Sequence, residues 1–256
     1  MNFLIKNFKN NIFKKIKKKI FFHQNEIIEE SINEAINFDL NCIFIAIPKT
    51  GTTSVRSQIR QKNNNSPYIS NPHLNIIQIR DLIYPFLLKQ SLGENKKFPT
   101  IGVLSDTVIR NEALKIFNNF YKFSAVRNPW ARAVSLYFRN EGVKTSNKID
   151  FIEFCEKHFY ASDTCIHPTL HKNQFDWLSD ENGLILMDYV YKIEEFEQAK
   201  IHIAESTNNR ILLKNLRLNS NSKSKSSKYV EMYDEKTKKI IQKTFEKDID
   251  YFKYTF

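Results

Sequence analysis

The residues from Pro48 to Ser54 read PKTGTTS and carry a lysine, a glycine and a run of hydroxyl groups. They follow an apolar run typical of a strand and precede a helical pattern, so they predict a loop between the two. A glycine allows close backbone approach to a ligand, and a helix N-terminus attracts negative charge. The stretch therefore predicts an anion-binding loop. The alternative is an ordinary turn in which Thr50 or Thr52 caps the helix.

The lysine of this loop stands on the unusual side of the glycine. In the phosphate loop of an ATPase, the lysine directly follows the second glycine and reaches the β- and γ-phosphates. Here Thr52 follows Gly51, Lys49 comes before it, and Ala46 occupies the usual position of the first glycine. This order of residues is poorly arranged to bind a γ-phosphate and its metal ion. It is better arranged to bind a terminal phosphate together with a leaving oxygen.

A second stretch, from Lys122 to Asn140, reads KFSAVRNPWARAVSLYFRN. It predicts a strand that ends at Arg127, followed by an amphipathic helix that Asn128 caps. Arg127 therefore stands at the carboxyl end of a strand, where ligands bind in open α/β sheets. Ser135 lies about two helical turns further along. An arginine fork near a hydroxyl group indicates a second phosphate site.

The elements that must position these groups alternate along the chain. Strands are predicted at residues 43–47, 101–104, 121–126 and 184–192. Helices are predicted at 52–60, 74–89 with an interruption at Pro85, 109–119, 129–140, 149–159, from 194 onward, and 234–253. Such alternation favours a parallel sheet with helices on both faces. The predicted fold class is α/β, a three-layer sandwich with a central parallel sheet.

The net charge of +11 is distributed unevenly over the 256 residues. Residues 1–25 carry seven lysines and residues 206–230 carry six basic side chains, without an acid in either stretch. Elsewhere 26 basic residues stand against 28 acidic ones, which argues against a nucleic-acid surface.

The three cysteines form neither a CxxC pair nor an even-numbered set that could pair completely in disulfides. They favour a reducing compartment and predict no disulfide staple and no structural zinc site.

The length of the chain predicts one sizeable α/β domain, at 26–256, behind a basic N-terminal segment at 1–25. Apolar residues recur every fourth position in that segment, with lysines between them, which is typical of a helix on an anionic membrane surface. A solvated helix, or one packed on the domain, explains the pattern equally well. The segment lacks the apolar core of a signal peptide or of a membrane span. We therefore expect a cytoplasmic protein and leave open a peripheral contact with the inner face of a membrane through residues 1–22.

With both motifs in this order, the sequence resembles the sulfotransferases that use 3′-phosphoadenosine 5′-phosphosulfate (PAPS), particularly the carbohydrate-modifying branch and its bacterial relatives. PKTGTTS resembles their 5′-phosphosulfate loop and RNPWARAVSLY their 3′-phosphate motif, and the similarity extends over roughly residues 42–254. The resemblance implies the sulfotransferase variant of the P-loop-like fold. It also implies sulfuryl transfer from PAPS to a hydroxyl group of a saccharide or polysaccharide, with PAP as the product and no metal. The acceptor itself and the oligomeric state stay open.

The resemblance further implies roles for single residues. Lys49 would contact the oxygen that bridges phosphate and sulfate and stabilise the charge that grows there. His73 would be the base for the acceptor hydroxyl, since histidine is the default base near neutral pH; the alternative is that it caps the following helix. Glu194 and Glu195 are weaker candidates, because the dipole alone favours acids at a helix start. The residues implied to bind the donor are Pro48, Lys49, Thr50, Gly51, Thr52, Thr53, Ser54, Arg127, Ser135, Lys223 and Ser224.

Two other functions compete with this one. A P-loop nucleoside or nucleotide kinase would have a similar fold and loop, but the position of Lys49 and the missing first glycine argue against it. A membrane-associated binding protein with a vestigial nucleotide fold would act through its lysine-rich N-terminus. For Lys223 and Ser224 the alternative is a basic linker, because Ser222 stands where relatives often have asparagine.

Overall fold

A four-stranded sheet forms the centre of the protein. The computed structural model describes residues 32–60, 73–92, 106–138, 149–160, 172–215 and 226–256. The strands, in their spatial order, are β1 (Ile36–Asn37), β2 (Cys42–Ile45), β3 (Tyr121–Val126) and β4 (Tyr189–Lys192). β2, β3 and β4 run parallel, and the short β1 adds antiparallel to β2. The strand predicted at 101–104 and the basic segment at 1–25 lie outside the described residues.

Helices follow each of the parallel strands. They are α1 (Thr52–Ile59), α2 (Ile76–Leu92), α3 (Asp106–Asn119), α4 (Pro129–Tyr137), α5 (Phe151–Cys155), α6 (Phe175–Leu178), α7 (Phe196–Ser206), α8 (Glu235–Thr244) and α9 (Glu246–Phe252). A π-helical turn (Glu156–Tyr160) extends α5, a 3₁₀ turn (Ile193–Glu195) joins β4 to α7, and another 3₁₀ stretch (Ser226–Met232) precedes α8.

The side chains of β2 divide between two hydrophobic cores because they alternate across the sheet. Ile43 and Ile45 enter the larger core, which α2, α3, α4 and α8 cover. Cys42 and Phe44 enter the smaller core, which α1 and α7 cover. All four of these side chains are fully buried. The fold is therefore the predicted α/β sandwich of three layers, with a sheet that is parallel except for β1.

The parallel register brings three loops to one edge of the sheet. β3 pairs with β2 from Tyr121 to Ser124 and with β4 from Phe123 to Val126, so the carboxyl ends of the three strands lie side by side. The loop 46–51, the residues 127–128 and the turn 193–195 all leave the sheet at this edge. Any ligand that binds at the strand ends contacts these three segments.

Several predicted elements differ in extent from the observed ones. α2 continues through Pro85 without the predicted interruption, because proline removes a single helical hydrogen bond and the helix is packed on the sheet. β4 covers only the end of the strand predicted at 184–192. The C-terminal helix predicted at 234–253 is divided at Phe245, whose ring is fully buried and whose ψ of 31° leaves the helical range.

Candidate active site

The loop at residues 46–51 connects β2 to α1 and contains two left-handed residues. The φ angles of Lys49 and Gly51 are 69° and 72°. Gly51 is the N-cap of α1, and no side chain of the described residues caps this helix. The Thr50 hydroxyl donates within the loop instead, to the carbonyl oxygen of Ile47 at 3.0 Å. The alternative of a threonine cap is therefore wrong, and the first N–H groups of α1 need an acceptor of another kind.

Gly51 is required by packing as well as by its backbone angle. A Cβ atom at this position would lie 2.2 Å from Cδ1 of Ile193, in the turn that follows β4. A left-handed φ is also costly for any residue with a Cβ atom. The sequence predicts this glycine from close approach of a ligand, whereas the structure adds the close approach of a neighbouring turn.

Arg127 reaches this loop from the end of β3. Its Nη1 donates to the carbonyl oxygen of Lys49 at 3.3 Å, so the two motifs adjoin. Gln174 holds the Arg127 backbone on both sides, accepting from its N–H and donating to its carbonyl oxygen at 2.8 Å each. Burial lowers the pKa of Arg127 from its ordinary value, and the nearby Glu194 carboxylate opposes that shift.

His73 lies beside the first residue of the loop. Its Nδ1 is 2.6 Å from the carbonyl oxygen of Ala46. A carbonyl oxygen only accepts, so Nδ1 carries the proton and Nε2 of the neutral ring carries the lone pair. The ring also meets Trp177 edge to face, with centroids 6.3 Å apart. The alternative that His73 caps α2 is wrong, because Asn75 Oδ1 accepts from the Gln78 N–H at 2.8 Å.

A second arginine of the same motif, Arg132, is not among the residues that sequence reasoning selects. It is fully buried, and its Nε donates to the carbonyl oxygen of Pro48 at 3.1 Å. Its Nη1 donates to the carbonyl oxygen of Lys172 at 3.4 Å. Burial lowers the pKa of Arg132 to about 10, against the opposing charge of Asp248. A signal was present in the sequence, because Arg132 and Ser135 share one face of an otherwise apolar helix.

Asp248 of α9 supports the Arg127 backbone through Gln174. Its carboxylate accepts from the N–H groups of Gln174 and Phe175 at 2.8 Å each, and the side chain is fully buried. Burial raises the pKa of Asp248, whereas these two hydrogen bonds and the Arg132 charge oppose the rise. Sequence reasoning missed Asp248 because nothing distinguishes it from the exposed acids of the same helix.

Asn128 caps α4 and connects it to two other segments. Its side-chain oxygen accepts from the N–H groups of Trp130 and Ala131. Its backbone N–H donates to Glu194 Oε1 at 3.0 Å, and its Nδ2 donates to the carbonyl oxygen of Thr255 at 2.8 Å. Glu194 thus has a structural partner at the start of α4, next to Arg127.

The other site residues predicted from the sequence differ in how far they are buried. Ser135 is buried in α4, with 8% of its surface exposed. Thr52 is buried, and Thr53 and Ser54 are half-buried in the first turn of α1. Lys223 and Ser224 lie outside the described residues.

A cavity of about 320 Å³ adjoins the loop on the α7 side. Its wall includes Thr50, Gly51, Ser54, Tyr191, Phe196 and Asn215. It therefore combines hydroxyl groups and backbone of the loop with two aromatic rings. Its size lies within the range of small-molecule pockets, which extends upward from about 300 Å³.

Two features concern metals and membranes. Within the described ranges, no group of three or more His, Cys, Asp or Glu side chains is arranged to hold a metal ion. In the same part of the chain, no helix is long and apolar enough to cross a membrane.

The fold and the site define an α/β protein in which a strand–loop–helix segment adjoins an arginine from the end of the adjacent strand. The model of the sulfotransferase family matches residues 35–255. The chain therefore belongs to the sulfotransferase family, whose enzymes transfer sulfuryl groups. This membership argues against both the kinase and the membrane-associated binding protein. No curated protein and no solved structure matches the chain.

Proposed function

We propose that this sulfotransferase takes its sulfuryl group from PAPS and transfers it to a hydroxyl group of a saccharide or polysaccharide. One observation carries the proposal: Arg127 Nη1 lies 3.3 Å from the carbonyl oxygen of Lys49. A cationic fork and a helix N-terminus without a side-chain cap thus stand side by side. This arrangement supports a ligand with two separate phosphates, since each group attracts an anion.

The residues of the loop suit the 5′ end of such a donor. The N–H groups at the start of α1 and the hydroxyls of Thr52 and Thr53 would hold the 5′-phosphate. Arg127 and Ser135 would hold the 3′-phosphate, and Lys223 with Ser224 would enclose the nucleotide. The cavity beside Thr50 would take the nucleoside, with Tyr191 and Phe196 as apolar walls. PAPS supplies an activated sulfuryl group when it is bound.

Two side chains would carry the chemistry. Lys49 would place its ammonium group near the leaving oxygen and stabilise the negative charge that develops there. His73 would accept the proton of the acceptor hydroxyl at Nε2, because its Nδ1–H is engaged by Ala46. The hydrogen bond to a loop carbonyl also sets the distance between the base and the loop, which supports these two roles.

The donor is tested by thermal unfolding with PAP in the presence of EDTA. We expect PAP to raise the unfolding temperature without Mg²⁺, because a ligand that binds only the folded state stabilises it. Arg127→Gln should weaken this shift, while Arg80→Gln, a substitution of a more exposed arginine in α2, should leave it unchanged. An unfolding temperature that does not respond to saturating PAP would contradict the proposal.

The base is tested with labelled PAPS and a panel of glycans, lipids and phenols. His73→Asn keeps an N–H donor for Ala46 but has no basic nitrogen, so it should bind PAP normally and lose at least about a hundredfold in transfer rate. A labelled glycan as the product would support a saccharide acceptor. A labelled lipid or phenol would instead contradict it and identify another class of acceptor. Transfer by His73→Asn at the wild-type rate would exclude His73 as the base.

The proposed location is the cytoplasm, with a peripheral membrane contact through residues 1–22 left as a hypothesis. A deletion of these residues that keeps transfer but loses binding to anionic vesicles would support that contact. Loss of transfer in solution would instead show that the catalytic domain needs residues 1–22 for activity.

A further inference from the structure

We propose that Arg132 is a positioning residue, which orients the anion-binding loop by holding the carbonyl group of Pro48. The inference rests on the proposed donor, since it concerns the loop assigned to the 5′-phosphate. Arg132 does not reach the ligand in this proposal. It acts through the peptide group that joins Pro48 to Lys49, on the side of the loop that faces the protein interior.

Two arginines bind consecutive carbonyl groups of the loop. Arg132 Nε donates to Pro48 at 3.1 Å, and Arg127 Nη1 donates to Lys49 at 3.3 Å. Arg127 lies between β3 and α4, and Arg132 lies one turn into α4, so one strand–helix unit holds both peptide groups. Arg132 is fully buried, which makes its hydrogen bonds stronger than they would be in water.

Because a peptide group is planar, a contact that fixes its C=O group also fixes the direction of its N–H group. In a planar trans peptide, the C=O group and the following N–H group point in opposite directions. Carbonyls held on the arginine side therefore turn the N–H groups of Lys49 and Thr50 away from it. Amide N–H groups arranged in this way form an anion-binding concavity. The left-handed φ of 69° at Lys49 is the kind of strain that such external contacts sustain.

The same guanidinium also holds the segment that leads to α6. Its Nη1 donates to the carbonyl oxygen of Lys172, whose ammonium group lies 4.6 Å from the ring centroid of Trp177. Trp177 in turn contacts His73. Arg132 thus links the loop with the side chains around the proposed base.

Arg56 of α1 provides a matched control. It is also a buried arginine, with 3% of its surface exposed, but its guanidinium pairs with the Glu34 carboxylate. This buried ion pair joins α1 to the segment before β1 and does not involve the carbonyl groups of the loop. A role in stability alone would make the two arginines equivalent in a ligand-binding experiment.

The experiment compares PAP with adenosine 3′-monophosphate, which lacks the 5′-phosphate, by titration calorimetry. The wild-type protein should prefer PAP. Arg132→Met should reduce this preference by about tenfold or more, the effect of one charged hydrogen bond, while binding of the monophosphate persists. Arg132→Lys retains the charge but bonds one carbonyl at a time, so it should show an intermediate preference. Arg56→Met should unfold at lower temperature with an unchanged preference.

The outcomes separate the two proposals. A wild-type protein that binds neither nucleotide would overturn the PAPS donor and the inference with it. A preference that stays at the wild-type level in folded Arg132→Met, or in Arg132→Lys if the first variant does not fold, would overturn the inference alone. Equal weakening of both nucleotides would also overturn it, because that pattern indicates a general loss of structure.

Discussion

Lys49 combines a charged side chain with a backbone conformation that favours glycine. Its φ of 69° costs about 1–2 kcal/mol for a residue with a Cβ atom. Strain of this kind persists at functional sites, where the surrounding contacts impose it. Because glycine would relieve the strain, a lysine at this position is explained best by the use of its ammonium group.

Substitution of Lys49 should therefore separate stability from activity. Lys49→Gly should be more stable than Lys49→Ala by about 1 kcal/mol, because both remove the ammonium group and only glycine adopts the left-handed angle freely. Both variants should lose at least about a hundredfold in sulfuryl transfer. Chemical denaturation measures the first difference and labelled PAPS the second. An alanine variant as stable as the glycine variant would contradict the proposed strain.

At the scale of elements, α4 is the part that positions the site most directly. Its cap, Asn128, binds the first N–H groups of the helix and also contacts Glu194 and Thr255. The residue before the cap is Arg127, and one turn into the helix stands Arg132. The orientation of both guanidinium groups therefore depends on how this helix begins.

Loss of the cap should weaken donor binding as well as stability. Asn128→Ala should lower the free energy of unfolding by about 1 kcal/mol and reduce the affinity for PAP, because α4 carries Arg127 at its start. Asp234→Ala removes the capping box of α8, away from the loop, and should cost a similar free energy. The affinity for PAP should then stay at the wild-type value. Calorimetric titration of both variants with PAP tests this difference, and equal losses of affinity would contradict it.

Some elements were readable from the sequence because their signals are local. β3 agrees with its prediction at both ends, and α4 begins where Asn128 and the following proline predict it. The two-residue β1 was not predicted, because it pairs with β2 across a tight turn and has no periodic pattern of its own. The break at Phe245 was missed for a similar reason, since it accompanies tertiary burial of the ring and no glycine or proline marks it.

At the scale of the whole molecule, each face of the sheet contains a buried free cysteine. Cys42 lies in the smaller core and Cys155 in the larger one. Burial raises the pKa of the Cys42 thiol to about 12 and also raises that of Cys155. Burial keeps reagents away from both thiols, and the raised pKa keeps both of them protonated. Because the thiolate is the reactive form, each effect protects the cysteines in the folded protein.

Alkylation of these thiols should report on opening of the two cores. At pH 8, iodoacetamide should leave Cys42 and Cys155 largely unmodified in the folded protein and react with both after unfolding in urea. PAP should slow any residual modification, because it lowers the population of the open state. Peptide-resolved mass spectrometry measures each cysteine separately. Rapid modification of Cys42 in the folded state would contradict the burial of β2.

The sequence by itself determined the features that neighbouring residues produce together. These are the strand–loop–helix around PKTGTTS, the cap and helix after Arg127, and the alternation that predicts a parallel sheet. Each depends on local backbone preferences and on the periodicity of apolar side chains, which are read over a few turns.

Tertiary structure decided which distant groups meet at the loop. Arg132 binds the carbonyl oxygen of Pro48, and Ile193 occupies the space that a side chain at position 51 would need. Asp248 turns inward to hold the backbone N–H groups at the start of α6. The partners in these contacts are separated by scores of residues, so their pairing depends on the packing of the three layers. Local sequence patterns do not encode that packing. The residues that support the site could therefore be identified only from the tertiary structure.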